Sequence, residues 1–437
     1  MKLLKYFDAF LSSTVNLNDT RIASLDARVE AVTNYLRNHS TFQGLFIDVF
    51  PQGSYAQRTI IKPVGNHEYD ADVLLVLKSH TTWTPAEYIA ELKTALASSP
   101  NYAAKVHSRT RCVYIDYADD FHLDLVPFIE SLSAITNKKT NEFERTYPEN
   151  FTSWLEAKNR ITDGRLPATI RLLKYLRDSK QTFSIKSVVL TTLVGSVVDA
   201  SKLLADDAYY SDTPTVLTHI LMDLDDYLQS HPGMPVISDP GGTGEDFSER
   251  WDQKEYANFR SKIHDYAGKA ARALTLPDVE ESVAAWQELF GTKFTKPPST
   301  SVIKAHATAN EPEEFLPSDH DIAIRRTESV RLVGRVRGSG VRRAYDLPTR
   351  GDRVGKGRTI DFHVTECTVR EPYEVWWKVR NSGREAIEAG QLRGTIQKHA
   401  ESRYEVTKFA GTHFVEVYII KNGVCCATDK QQVIVTR

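Results

Sequence analysis

The chain has 437 residues, 41% hydrophobic and 26% charged, with a formal net charge of −2. That length exceeds one ordinary domain and points to roughly two or three, with apolar residues enough for a sizeable core. The near-neutral charge excludes wholesale electrostatic binding to nucleic acid or membrane, although the stretch Arg331 to Arg358 holds nine Lys/Arg against two Asp.

The opening MKLLKYFDAFLSSTVNL is broken by Lys5 and Asp8. It reads as a helix, not as a signal peptide. Leu25, Val29, Val32 and Leu36 recur at three- and four-residue steps, one buried helical stripe within 1–40. Residues 45–130 change character. FIDVF, YDADVLLVL, RCVYIDYA and FHLDLVPFI are short β-rich runs between turn residues. PAEYIAELKTALASSP reads as a helix opened by Pro85 and closed before Pro100. From about 150 to 290 the pattern is helical again. RLPATIRLLKYLRDSK has Pro167 near its start and Ile170, Leu173 and Leu176 on one face. IKSVVLTTLVGSVVDA is nearly all apolar and reads as a buried helix. HILMDLDDYLQSHPG and WDQKEYANFRSKIHDYAGKAARAL continue the bundle around the loop HPGMPVISDPGGTGEDF. Residues 291–320, rich in Pro, Ser, Thr and acids, read as a linker. YEVWWKVRNSG, HFVEVYIIKNG and QQVIVTR then read as strands ended by turns such as Asn-Gly. The expected layout is therefore 1–290, a linker 291–320 and a β domain 321–437. No run approaches the ~18 apolar residues of a spanning helix, so the expected location is the cytoplasm. Cys112, Cys367, Cys425 and Cys426 show neither C-x-x-C nor zinc spacing. Free thiols are expected, with Cys425 and Cys426 on opposite faces of a strand.

The chemistry sits in PQGSYAQRTIIKPVGNHEYDADVLLVL, with Gly53-Ser54 followed by Asp70-x-Asp72. Residues i and i+2 of a strand share a face, so the two acids project together. Asp124, in FHLDLVPFI, can join them from a neighbouring strand. Three close carboxylates repel unless a cation neutralises them. Magnesium suits hard oxygen ligands and keeps places for phosphate oxygens. Two such ions about 3.5–4 Å apart would stabilise both oxygens of an in-line displacement. Glycine lets the backbone approach a triphosphate, and Ser54 can donate to it, with a helix start there adding a favourable dipole. Asp124 is the candidate base, or a metal-bound orienter, for an attacking ribose hydroxyl. A lone D-x-D is more often a solvated strand edge. Here the LLVL after Asp72 marks a core strand with acids at its end.

GSY, D-A-D and L-D-L-V-P resemble the nucleotidyltransferase core of the bacterial cyclic-oligonucleotide synthases related to cyclic GMP–AMP synthase and oligoadenylate synthase. The resemblance covers about 1–290. It implies an α+β fold, with a polymerase-beta-like core and an oligoadenylate-synthase-like helical lobe. It also implies a lysine and a serine contacting the donor triphosphate. Carried over from RLLKYLRD and FSIKSVVL, these are Lys174 and Ser187; the alternatives are a solvated helix lysine and a helix-packing serine. ISDPGGTGEDF looks like the Asp-Pro loop of the oligoadenylate-synthase relatives. No zinc thumb of the animal DNA sensor is visible. The implied activity joins nucleoside triphosphates into a cyclic di- or trinucleotide with two Mg2+ ions, Mn2+ being a possible substitute. The implied setting is antiphage defence, with a downstream effector reading the product. The same triad would also serve a different acceptor (tRNA, protein or a small-molecule hydroxyl), or a silent nucleotide sensor. VWWKVRNSGREA, LRGTI and GTHFVEVYIIKNG resemble the small C-terminal all-β sensor module of some of these synthases, here sandwich-like. Arg393, Gly394, Thr412 and His413 are candidates for a regulatory ligand site there, against a plainer reading as turns and strand ends. Trp376 and Trp377 must face opposite ways.

Overall fold

The structure, a computed structural model, describes residues 1–437 apart from 66–68, 118–120, 298–313, 315, 317–319, 321, 325–327, 338–343, 348–352, 382–383 and 437. Much of the expected linker therefore lies outside the described residues. Two compact units result, Met1–Pro297 and Pro298–Arg437.

In the first unit, α1 (Leu4–Phe10) runs into a wider helical turn through Val15. Next come α2 (Asp19–Asn38), β1 (Phe46–Gln52), α3 (Gly53–Ala56), β2 (Tyr69–Leu77), α4 (Pro85–Ala97), β3 (Val106–Ser108), β4 (Val113–Tyr117), β5 (Phe121–Ile129), β6 (Ala134–Asn137) and β7 (Glu142–Arg145). The start of α4 is fixed by a capping box between Thr84 and Glu87, with Pro85 in the first turn, where its missing N–H costs nothing. The seven strands form one sheet in the order β1-β2-β5-β4-β3, with β6 on β5 and β7 on β6. β2 and β5 run parallel at its centre. One face is covered by α2 and α4 through Leu25, Val32, Leu36, Tyr88 and Leu92, all buried. That leaves the other face of the β2–β5 pair for polar residues at its N-terminal end.

Helices α5 (Pro148–Ile161), α6 (Leu166–Lys180), α7 (Ser187–Ser196), α8 (Lys202–Ala205), α9 (Thr213–Gln229), α10 (Gln253–Thr275) and α11 (Val279–Phe290) form the helical lobe. The stripe Ile170, Leu173, Leu176 is buried in it. Phe7 of α1 packs edge-on against Trp286 of α11, ring centroids 4.9 Å apart. Phe294, past the end of α11, is fully buried in the same core.

The second unit is two facing β-sheets. One is ordered β10-β9-β12-β15, from β9 (Val330–Arg337), β10 (Tyr345–Asp346), β12 (Thr359–Cys367) and β15 (Ser402–Val406). The other is β11-β17-β16-β13-β14, from β11 (Arg353–Gly355), β13 (Glu374–Arg380), β14 (Arg393–His399), β16 (Gly411–Lys421) and β17 (Val424–Thr436). β8 (Ala323–Ile324) joins β17, and a short helix α12 (Arg384–Glu388) follows β13. Asn422 and Gly423 both have positive φ, the conformation of a tight hairpin turn between β16 and β17. Trp377 is fully buried and Trp376 half-buried, as strand alternation requires. Cys425 is buried and Cys426 only partly, and all four cysteines are free. In the Arg-rich stretch, Arg331, Arg335 and Arg337 point outward from β9 and pair with Glu366, Asp346 and Asp361. That is a solvated, ion-paired strand face, and 338–343 and 348–352 lie outside the described residues. Among the described residues no helix is long and apolar enough to cross a membrane.

Candidate active site

Alternation along β2 sends Tyr69, Ala71 and Val73 into the core. Asp70 and Asp72 therefore share the opposite face. In the parallel register Asp72 stands beside Asp124 and Asp70 beside His122. Leu123 and Leu125 turn into the core, so Asp124 faces the same way as the β2 acids. Three carboxylates thus come from two central strands of one sheet.

Gln52 of β1 pairs with Asp72 from the other side, which brings the next residue, Gly53, against the carboxylate. Gly53 has φ +56, and a Cβ there would stand 2.9 Å from Asp72 Oδ2. The position needs glycine for its left-handed backbone and for clearance. The helix it opens, α3, is a single turn of four residues. The expected helix-dipole contribution is accordingly not supported; what remains is local backbone and hydroxyl chemistry.

Burial first, and electrostatic crowding behind it, shift Asp72 and Asp124. The pKa of Asp72 is raised to about 7, by burial first and then by the charges of Asp70 and Asp124, with Lys174 and Arg109 opposing. Burial also raises Asp124, against the pull of His122, Arg109 and a hydrogen bond from Cys112. Asp124 Oδ2 accepts from Arg109 Nη1 at 3.3 Å and from Cys112 Sγ at 3.4 Å. Its Oδ1 is buried without a hydrogen-bond partner, and an orphaned carboxylate oxygen of this kind calls for a cation or a proton. The donor set is all oxygen, the chemistry that suits a divalent cation such as magnesium. As they stand, no three acid, thiol or imidazole side chains among the described residues converge tightly enough to hold an ion. Arg109 competes with a cation for the same carboxylate from its Oδ2 side, and His122 Nε2 stands 3.9 Å from Oδ1.

Lys174, on α6, is 4% exposed and donates to Thr59 O at 3.0 Å and Thr59 Oγ1 at 3.1 Å. Thr59 N in turn donates to Ser54 O at 2.9 Å. The lysine is thus tied to the loop that carries Gly53 and Ser54. Burial, then the neighbouring Arg177, lowers its pKa to about 8, while Asp70 pulls the other way. Ser187 opens α7, and its Oγ accepts from Arg177 Nη1 at 3.1 Å.

Gly53, Ser54, Asp70, Asp72, Lys174 and Ser187 line one cavity of about 930 Å³. Asp124 is not on its wall; it adjoins Asp72 across the strand pairing. Asp239 and Thr243 of the ISDPGGTGEDF loop line the cavity too, and that loop is held by bonds from Thr243 Oγ1 and Gly241 N to the Asp239 carboxylate. Sequence reasoning missed Thr59, Arg109, Cys112 and Arg177. Arg109 and Cys112 flank the β3–β4 turn, and only the pairing of β4 with β5 brings that turn to Asp124.

Two protein-family models match the chain. Residues 1–159 match the Second Messenger Oligonucleotide or Dinucleotide Synthetase domain, and residues 310–436 match the Adenylyl/Guanylyl and SMODS C-terminal sensor domain. Over these two stretches the chain is similar to the domains of cyclic-oligonucleotide synthases. A c-di-GMP synthase from Roseivirga ehrenbergii is 24% identical over 320 residues, covering 65% of this chain and 83% of that protein. A cyclic AMP-AMP-AMP synthase from Acinetobacter sp. is 23% identical over 315 residues, covering 69% of this chain and 86% of that protein. The fold matches the solved CD-NTase CdnG of Bradyrhizobium diazoefficiens in complex with GTP. The TM-score is 0.54 at 20% identity, over 69% of this chain and 98% of that one. With the synthetase domain and relatives named as cyclic-nucleotide synthases, the chain is a nucleotidyltransferase.

Proposed function

We propose that this chain is a CD-NTase that joins nucleoside triphosphates into a cyclic di- or trinucleotide, with Asp70, Asp72 and Asp124 as the metal-binding carboxylates. The observation that carries the reading is the placement of Asp72 beside both Asp124 and Gly53, on the wall of a cavity that also holds Lys174 and Ser187. The naming of the relatives as cyclic-nucleotide synthases supports the product class.

The residues divide the work. Gly53 lets the chain pass close to the triphosphate, and Ser54 and Ser187 offer hydroxyls to its oxygens. Lys174, anchored on Thr59, places an ammonium beside the phosphates. A ribose hydroxyl oxygen bonds to the α-phosphorus, the bond to the β-phosphate breaks, and pyrophosphate leaves. Asp124 Oδ1, which lacks a hydrogen-bond partner, takes the hydroxyl proton. Two bound Mg2+ ions would supply charge stabilisation to the attacking and leaving oxygens. A second transfer within the linear product closes the ring. The biological setting that goes with this chemistry is a cytoplasmic antiphage response, in which a separate effector reads the product.

The test is to incubate the chain with each α-labelled NTP and Mg2+, treat with phosphatase and identify the product. A phosphatase-resistant cyclic oligonucleotide is expected. Label recovered on a tRNA, a protein or a small-molecule hydroxyl would replace the cyclase reading with transfer to that acceptor. Tight NTP binding with no pyrophosphate release would leave a silent sensor.

A further inference from the structure

On α6, Arg171, Lys174 and Arg177 follow one another at three-residue steps, so they lie along one side of the helix. Each reaches beyond its own helix. Arg171 Nη1 donates to Arg58 O at 2.5 Å, Lys174 Nζ is bonded to Thr59, and Arg177 turns to the chain that follows α6. Lys174 and Arg177 line the large cavity together with Asp178 and Ser187.

Arg177 is held on three sides. Its Nε and Nη2 donate to Asp178 Oδ1 and Oδ2 at 2.6 and 3.2 Å, a two-point pairing that fixes the plane of the guanidinium. Its Nη1 donates to Ile185 O at 3.0 Å and to Ser187 Oγ at 3.1 Å. Arg177 lies in the last turn of α6, where a cation beside a carbonyl is ordinary for a helix end, and the bond to Ile185 O is of that kind. The bond to Ser187 is not, because it ends on a hydroxyl of the cavity wall. A guanidinium can only donate, so Ser187 Oγ is the acceptor there and its own proton must point elsewhere. A free serine hydroxyl rotates to suit its neighbours. This one is set as a donor, the role that an anionic oxygen needs. The charges that face Lys174 are Arg171, Arg177 and Asp178 from its own helix and Asp70 and Asp72 from β2, and after burial Arg177 acts on it most.

We propose that Arg177, clamped by Asp178, is a positioning residue of the transfer reaction, which holds the Ser187 hydroxyl aimed at an oxygen of the bound triphosphate and acts on that triphosphate through Ser187. The inference rests on the triphosphate lying in this cavity, as the proposed function has it.

The test is equilibrium binding of the α,β-methylene analogues of ATP, CTP, GTP and UTP to the full chain, with Mg2+ at pH 7, following the analogue that wild type binds most tightly. Ser187→Ala and Arg177→Gln should each weaken binding about tenfold, as loss of a hydrogen bond to a charged group does. The double variant should bind within about threefold of S187A, since residues that act through one another are not additive. Arg177→Lys keeps the charge and repeats the cycle should R177Q melt early. It should weaken binding as well, because one ammonium cannot hold Asp178, Ile185 and Ser187 in a single plane. The pH profile gives a readout that a scaffolding role would not move. Lys174 titrates at about 8, and R177Q should carry the alkaline fall in binding to higher pH by removing a neighbouring cation, whereas R177K should leave it in place. The proposal is overturned if the two single losses add in the double variant, or if the alkaline fall stays where it is in R177Q. Analogue binding that K174A leaves intact would instead overturn the placement of the triphosphate in this cavity, and this inference with it.

Discussion

Replacing Gly53 by alanine separates two effects that usually travel together. At φ +56 an alanine pays left-handed strain of about 1–2 kcal/mol. Gly164 provides the comparison: its φ is +81 and an added Cβ would meet nothing within 4 Å. G164A should therefore carry similar strain without touching the site. Each substitution should lower Tm by a few degrees, at roughly 2–4 °C per kcal/mol for a domain of 150–250 residues. The difference lies in Asp72. A Cβ 2.9 Å from Oδ2, 3.7 Å from Cγ and 3.9 Å from Cβ forces the carboxylate away from its place beside Asp124. A misplacement near 1 Å costs on the order of 10²-fold in rate. The assay is pyrophosphate release per folded molecule, read beside thermal unfolding of both variants. G53A should lose about a hundredfold while G164A stays near wild type. Equal activity in the two variants would refute the reading of Gly53 as the residue that gives Asp72 its space.

Without metal or nucleotide, Asp72 should make the chain less stable as pH rises. Its folded pKa near 7 lies above the ordinary value of 3.8, so this stabilisation is full below about pH 4 and lost on passing 7. D72N should flatten that slope in thermal melts. Lys174 titrates near 8 in the folded chain, so NTP affinity should weaken above that pH as the ammonium is lost, and K174A should bind NTP poorly at every pH. In the second unit, W377A removes a fully buried indole and should cost about 3–5 kcal/mol in denaturant unfolding, whereas W376A, at a half-buried position, should cost much less.

The strands and most helices were legible because their periodicities are strong. YDADVLLVL shows why the acids were readable: a core run fixes the strand, and i, i+2 spacing then fixes the shared face. The plainer reading of Lys174 is a solvated helix lysine, yet it lies among the buried residues of α6, because its link to Thr59 depends on tertiary folding. Arg109 was not legible at all. It lies in a turn, and its approach to Asp124 is set by the β4–β5 register, which no local pattern encodes. The single turn at Gly53–Ala56 shows the converse, a helix start read from glycine and serine that goes no further. The inward face of β15 breaks the apolar alternation of a sandwich, with Arg403 and Glu405 opposite Phe362 and Ile360.

The most direct measurement is anomalous scattering from crystals grown with Mn2+ and a nonhydrolysable NTP. Manganese peaks among the Asp70, Asp72 and Asp124 carboxylates, with Arg109 displaced from Asp124 Oδ2 and the triphosphate reaching Lys174, are the predicted result. An intact Arg109–Asp124 contact with the metal elsewhere would contradict the account.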